Sequence, residues 1–285
     1  LPRRVVVADL NGDGASDLLA VNIPAYITNG QQVALTFSAL LGNGDGTFQA
    51  ERRFDPGRTI PFLRFQPIDP GAVVADFTGD GKADLAVLAA TSSANATILL
   101  QTVTSDLLIY PGDGLGGFAA TPVVTTLTAR ATEPWSREIF AADLNGDARP
   151  DLITPEHVLI NRGGAAFDIS LVEAADEGAR VFALGEFNGD ARPDLLVQRG
   201  PDLGSPLVVY SGNGDGAFTR GPASSSSAGT ASYGVAFDFT GDGKLDFLGQ
   251  EGNGVWFHRG NGDGTFASPQ FLPSLPRLAI VSSFL

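Results

Sequence analysis

The stretch Asp9-Leu10-Asn11-Gly12-Asp13-Gly14-Ala15-Ser16-Asp17 decides how the chain is read, because four more copies follow it, starting at Asp76, Asp143, Glu186 and Asp238. Each copy carries an oxygen-bearing side chain at positions 1, 3, 5 and 9. In order these are Asp9, Asn11, Asp13 and Asp17; Asp76, Thr78, Asp80 and Asp84; Asp143, Asn145, Asp147 and Asp151; Glu186, Asn188, Asp190 and Asp194; and Asp238, Thr240, Asp242 and Asp246. Position 7 adds a backbone carbonyl from Ala15, Lys82, Arg149, Arg192 or Lys244. Hard cations such as calcium take six to eight oxygen ligands, and known calcium loops draw them from positions 1, 3, 5, 7 and 9. The spacing therefore nominates up to five calcium sites. Without a cation, three carboxylates within nine residues repel one another.

The plainer reading is an acidic turn, since Asn-Gly and Asp-Gly are ordinary turn dipeptides. Five copies in register weigh against it, because a turn needs no acid at position 9. The glycine at position 6 is Gly14, Gly81 and Gly243 in three copies and is replaced by Ala148 and Ala191 in the other two. The fourth copy also opens with the longer Glu186. The loops at Asp143 and Glu186 are thus expected to hold metal more weakly.

The 285 residues are 43% hydrophobic, which suits a globular chain with a sizeable core. Glycine is abundant, but no collagen-like period accompanies it. The absence of cysteine removes disulfides, thiolate metal sites and cysteine nucleophiles. A net charge of −14 disfavours nucleic acid as a partner. Fifteen of the 32 acids sit in the five loops, and the other 17 are matched by 18 Lys and Arg, so the acidity belongs to the proposed metal sites. Five calcium ions would bring the balance from −14 to about −4. No apolar run is long enough to span a membrane. A start at Leu1, with no methionine in the chain, is expected of a mature or excerpted sequence, part of a larger chain or assembly.

Short apolar runs flank each loop, as in Val5-Val6-Val7-Ala8 before the first and Leu18-Leu19-Ala20-Val21 after it. Such runs read as strands buried on both faces, joined by the loop. A second motif, Gly42-Asn43-Gly44-Asp45-Gly46-Thr47-Phe48, recurs at Gly212–Phe218 and Gly260–Phe266, with looser forms ending at Phe118 and Phe167. It reads as the hairpin from a third strand to a fourth, with Asp45, Asp215 and Asp263 as turn residues. Each repeat is then a four-stranded antiparallel meander, and radially repeated meanders are β-propeller blades. The expected fold is all-β, one propeller domain over 1–285, with blades near 3–55, 71–124, 137–174, 179–223 and 233–273. An extra strand at 276–284 echoes the first strand of a possible sixth blade.

The loops and the Gly-Asn-Gly-Asp-Gly-Thr-Phe turns together resemble the FG-GAP, or VCBS, repeat family, which includes the head propeller of integrin alpha subunits, certain fungal lectins and many secreted bacterial proteins. The resemblance covers nearly the whole chain and implies calcium in the loops named above. It does not imply one function. A lectin would carry similar sugar pockets between blades, and the unequal loops weigh against that. Some polysaccharide lyases also resemble this propeller, and a structural subunit of a surface assembly is a further alternative.

Length variation falls in the two-to-three hairpins near 22–36 and 89–106 and in the links between blades, at the end opposite the calcium loops. Long loops on a rigid scaffold are where binding resides. Aromatic and arginine side chains there, namely Tyr26, Arg58, Arg64, Trp135 and Tyr233, are the candidate contacts for a protein or carbohydrate ligand. Catalysis finds little support. The two histidines, His157 and His258, fall in equivalent third strands, and no hydrolase or metalloprotease motif occurs. The expected function is therefore a non-enzymatic, extracellular binding or adhesion module, secreted or at the cell surface, with calcium in a structural role.

Overall fold

A computed structural model of the chain describes residues 2–23, 32–61, 70–90, 104–128, 138–172, 180–198, 206–224, 231–251 and 254–273. The candidates Tyr26, Arg64 and Trp135 and the expected strand at 276–284 lie outside these residues. Tyr233 is described through its backbone alone, in a strand.

Among the described residues the secondary structure is entirely β. The first sheet contains β1 (Pro2–Ala8), β2 (Asp17–Asn22), β4 (Thr36–Leu40) and β5 (Arg52–Phe54). The second contains β7 (Gly71–Ala75), β8 (Asp84–Ala90), β9 (Thr104–Tyr110) and β10 (Val123–Thr128). The third contains β11 (Phe140–Ala142), β12 (Asp151–Ile153), β13 (His157–Asn161) and β14 (Phe167–Leu171). The fourth contains β15 (Arg180–Gly185), β16 (Asp194–Gln198), β17 (Leu207–Gly212) and β18 (Phe218–Ala223). The fifth contains β19 (Ala231–Phe237), β20 (Asp246–Glu251), β21 (Gly254–His258) and β22 (Gln270–Leu272).

Every sheet pairs its four strands in chain order. The pairings are antiparallel, as between β1 and β2, where Val5 faces Ala20 and Ala8 faces Asp17. These sheets are the five blades of a β-propeller. In each blade the acidic loop joins strands one and two, and the glycine turn joins strands three and four, as the sequence indicates. His157 and His258 both lie in third strands and are buried.

The run-like hydrophobicity of the second strands has the expected result. All five residues of β16 are buried, on both faces. The outer strands are mostly exposed, as in β14 and β18. The sequence pattern does not indicate one feature: β3 (Gln32–Ala34) pairs with β6 (Thr59–Pro61), so the first two-to-three hairpin and the link after blade one form a two-stranded ribbon.

The described residues divide into two compact units. One holds the first two blades and the other the fourth and fifth. Blade three is divided between them, its residues up to Ala141 and Asn161–Asp168 falling in the first and Ala142–Ile160 and those from Ile169 onward in the second. The core of the first unit gathers Val6, Leu19, Val21, Phe37, Val87 and Tyr110. The core of the second gathers Phe182, Phe187, Leu196, Val209, Phe247 and Phe266.

The acidic loops as a candidate site

Four of the five loops share one hydrogen-bond scheme at position 1, built from their carboxylates inward. In the first loop, position 1 captures three backbone amides: Gly12 N–H and Asp13 N–H donate to Asp9 Oδ1 at 2.8 and 3.2 Å, and Gly14 N–H to Asp9 Oδ2 at 2.8 Å. Asp76, Asp143 and Asp238 repeat the pattern, reaching the position 6 amide at 2.8 Å each. Glu186 departs from it, accepting from Asn188 N–H at 2.8 Å and from Gly189 N–H. Its longer stem places the carboxylate over earlier amides.

Position 6 must carry a positive φ for its amide to turn back onto position 1. Gly14, Gly81 and Gly243 lie near +80°, a conformation open to glycine. Ala148 and Ala191 adopt the same region, at 64° and 66°, against the steric preference of an L-residue. The loop geometry thus survives the substitution, with strain.

Position 5 accepts the amide of position 7 in every loop, at 2.8 Å for Ala15 N–H to Asp13 Oδ1 and at 2.9 to 3.1 Å elsewhere. The Ala15 amide, with help from Asn11, holds the Asp13 carboxyl below the usual carboxylate range. The Lys82, Arg149 and Gly243 amides do the same for Asp80, Asp147 and Asp238, and the Arg259 side chain does so for Asp242. Three of these carboxylates also have a cation from the chain: Lys82 Nζ lies 3.3 Å from Asp80, Arg149 Nη2 2.7 Å from Asp147, and Arg259 Nη2 3.0 Å from Asp242.

Position 9 differs in kind. Asp17, Asp84, Asp151, Asp194 and Asp246 are fully buried. Asp17 accepts Leu10 N–H at 2.8 Å on one oxygen and Gly42 N–H at 2.7 Å on the other. Asp84 joins Thr78 N–H to Gly112 N–H, each at 2.8 Å, Asp194 joins Phe187 to Gly212, and Asp246 joins Phe239 to Gly260. The acid at position 9 is therefore a bolt between the acidic loop and the glycine that opens the hairpin turn. The glycine is required by closeness: a Cβ on Gly112 would stand 2.0 Å from Ala83 O, and one on Gly42 would stand 2.3 Å from Ser16 O. Burial pushes the Asp194 carboxyl up, against the pull of its two amide donors.

The donors suit a hard cation in kind, since every side chain offered at positions 1, 3, 5 and 9 presents oxygen. Among the described residues, however, no three acidic or histidine side chains are gathered tightly enough to hold a metal ion. The reason is visible in the loops. Position 3 is Asn or Thr, the acid at position 9 faces backbone amides, and Asn11 turns its NH2 to Asp13 Oδ2 at 2.8 Å. Ligation by Asn11 requires its amide to turn over.

The turn residues behave as the sequence indicates. Asp45 accepts Thr47 N–H at 2.9 Å and the Thr47 hydroxyl at 2.6 Å, and Asp263 treats Thr265 alike at 3.0 and 2.6 Å. Of the candidate ligand contacts, Arg58 pairs with Asp106 at 3.7 Å. Between blades one and two lies a cleft of about 250 Å³, floored by Leu19, Phe37, Phe54 and Phe118 and edged by Arg52 and Asp113. Arg52 donates to Leu115 O, and Asp113 accepts Leu115 N–H and Gly117 N–H at 2.7 and 2.9 Å.

A family model described as FG-GAP-like repeat matches residues 9–87 and 186–249, together half of the chain. Two curated relatives match 149 residues: phosphatidylinositol-glycan-specific phospholipase D of Bos taurus at 31% identity and that of Homo sapiens at 30%. The match takes in 51% of this chain and 17% of each relative. A solved lectin of Agrocybe aegerita, described for its recognition of non-reducing terminal N-acetylglucosamine, aligns with a TM-score of 0.46 at 18% identity, over 94% of this chain and 79% of its own.

Proposed function

We propose that this chain, which belongs to the FG-GAP-like repeat family, is an extracellular binding or adhesion module whose acidic loops take calcium as a structural brace. The observation that carries the reading is the fivefold repetition of oxygen side chains at positions 1, 3 and 5 of a loop that makes the same connection in every blade. Asp9, Asp13 and the Asn11 oxygen, with the Ala15 carbonyl, would hold the ion in the first loop, and the corresponding residues would do so in the others. Calcium supplies the positive charge that these crowded carboxylates lack.

The loops need not be equal. Asp80, Asp147 and Asp242 already have a side-chain cation beside them. Asp13 has none among the described residues, so the first loop is the strongest candidate. At a dissociation constant near 10⁻⁴ M and about 1 mM free calcium, typical of extracellular modules, each filled site stabilises the fold by roughly 1.4 kcal/mol. Five such sites approach a domain's whole stability. Sites this weak stay empty at cytosolic calcium, which is the support for an extracellular setting.

The role assigned to the chain is non-catalytic. Its two histidines are buried in separate blades, and its alignment with the phospholipase D relatives takes in 17% of their length. The test is the melting temperature of Asp13→Ala. The expected loss appears with calcium present and vanishes in chelator. Equal losses in both conditions would remove calcium from the first loop.

A further inference from the structure

Eight Asn-Gly pairs occur in the chain, and six of them lie among the described residues, at Asn11, Asn43, Asn145, Asn188, Asn213 and Asn261. This pair is open to succinimide chemistry, because glycine puts no side chain beside its own nitrogen. The glycine nitrogen gives up its proton and attacks Cγ of the asparagine. The Cγ–Nδ2 bond breaks, ammonia leaves with the proton, and water opens the ring to aspartate or isoaspartate. Three local features set the rate: whether the glycine N–H is already engaged, what polarises the side-chain carbonyl, and which charges stand nearby.

The pairs in the acidic loops are closed to this reaction. Gly12 N–H donates to Asp9 at 2.8 Å, Gly146 N–H to Asp143 at 2.7 Å, and Gly189 N–H to Glu186. A carboxylate that holds this proton opposes its loss, because the amide anion would face a like charge. The side chains are held as well: Nδ2 of Asn11 donates to Asp13 at 2.8 Å and Nδ2 of Asn145 to Asp147 at 3.0 Å.

The pairs in the glycine turns differ. Asn43, Asn213 and Asn261 are exposed, and the N–H groups of Gly44, Gly214 and Gly262 donate to no acceptor among the described residues. Two of these turns keep the leaving group tied. Nδ2 of Asn43 donates to Thr47 Oγ1 at 2.8 Å, and Nδ2 of Asn261 to Thr265 Oγ1 at 2.9 Å. In the turn of blade four that threonine is replaced by Ala217, and the NH2 of Asn213 has no partner among the described residues. Instead Thr219 Oγ1 donates to Asn213 Oδ1 at 2.9 Å. A donor on that oxygen makes Cγ more electrophilic and stabilises the oxyanion that forms during attack. Arg192 completes the setting. A Cβ on Gly214 would stand 3.3 Å from Arg192 Nε, so the guanidinium lies against the residue whose nitrogen becomes negative. The Lys244 stem lies beside Gly262 in a similar way, but Gly44 has only Ala15 nearby.

We infer that Asn213-Gly214 is a self-modifying site, the asparagine that converts first to isoaspartate and aspartate as the folded protein ages. The step consumes water, releases ammonia and needs no enzyme. Its product adds a negative charge beside Arg192. In the isoaspartyl form it also adds a carbon to the backbone next to Gly212, whose N–H is bolted to Asp194 at 2.9 Å. The turn of blade four thus carries an irreversible record of age and a point at which the blade loosens.

The experiment is ageing of the folded chain in mildly alkaline buffer, with chelator present so that metal plays no part, followed by peptide mapping by mass spectrometry. Asn213 should convert fastest, Asn43 and Asn261 more slowly, and Asn11, Asn145 and Asn188 slowest, with isoaspartate as the major product. Thr219→Val should slow Asn213 by about tenfold, the factor one hydrogen bond in the transition state supplies, and leave Asn43 and Asn261 unchanged. Thr219→Ser, which keeps the hydroxyl, should restore the rate. Thr219 is exposed, so both variants should keep the wild-type circular dichroism, and the unchanged rate at Asn43 reports within the same molecules that the fold is intact. Conversion of Asn213 no faster than that of the loop asparagines would overturn the inference. So would an Asn213 rate indifferent to Thr219→Val, or aspartate formed without isoaspartate, since direct hydrolysis would then replace the ring.

Discussion

Replacing Asp84 by alanine separates the buried bolt from any metal. Its carboxylate accepts Thr78 N–H and Gly112 N–H, both at 2.8 Å, from a position with no solvent exposure. Each is a charge-assisted bond, worth roughly 1.5–3 kcal/mol, and each amide loses its partner when the carboxylate goes. Some of that loss is relieved if water enters beside the turn, so about 3–5 kcal/mol is expected for the pair. This is a large part of the 5–15 kcal/mol that typically stabilises a domain. Urea unfolding, extrapolated to water, reads the change. The loss should be the same in calcium and in chelator, because backbone amides are the partners. A loss below about 1 kcal/mol, or one that appears only in calcium, would refute the assignment of position 9 as a bolt.

Two further changes probe strain and burial. Ala148→Gly should raise stability by about 0.5–1 kcal/mol, because Ala148 sits at φ 64° and glycine adopts that region freely; a decrease in the urea midpoint would count against it. Tyr110 is fully buried, its hydroxyl has no hydrogen-bond partner among the described residues, and burial pushes its pKa up to about 12. Above the usual value of 10.0 the unfolded chain gives up this proton while the folded chain keeps it, so stability should fall as the pH rises from 10 towards 12 and be unaffected below. Tyr110→Phe should flatten that slope and add roughly 1 kcal/mol at neutral pH by removing an unsatisfied hydroxyl. A slope that persists in the variant would place the titration elsewhere.

The loops and turns were legible because they repeat: five acidic stretches in register impose a meander, and the apolar runs beside them can only be strands. What repetition could not reveal was pairing across distance. Gly42 and Asp17 are 25 residues apart, and nothing local links them. The signal was present nonetheless, since four of the five acids at position 9 are followed by a turn that opens with glycine, and the exception has Asn161. The β3–β6 ribbon left no such trace, because three-residue strands inside long connections carry too few residues to show a period. The cations beside Asp147 and Asp80 could be read from spacing, as both lie two residues on. Arg259 could not, because it reaches Asp242 from just beyond the third strand of its blade, 17 residues on.

The position 2 residues show a second limit. Leu10, Phe77, Leu144, Phe187 and Phe239 look alike in sequence, each an apolar residue inside an acidic loop. Four are buried, Phe77 against Phe167 and Phe187 against Phe266 of the following blade, and Phe239 is half exposed. That difference arises from neighbours in space and becomes visible only when the blades are assembled.

The most direct test of the calcium-braced propeller is thermal unfolding of the purified chain in 2 mM calcium and in excess chelator, with bound metal counted per chain. A higher melting temperature in calcium, accompanied by bound calcium at up to five ions per chain, is the expected result. Identical melting curves with no bound metal would leave the loops as turns held by their own amides, and would contradict the structural role of calcium and the extracellular setting inferred from it.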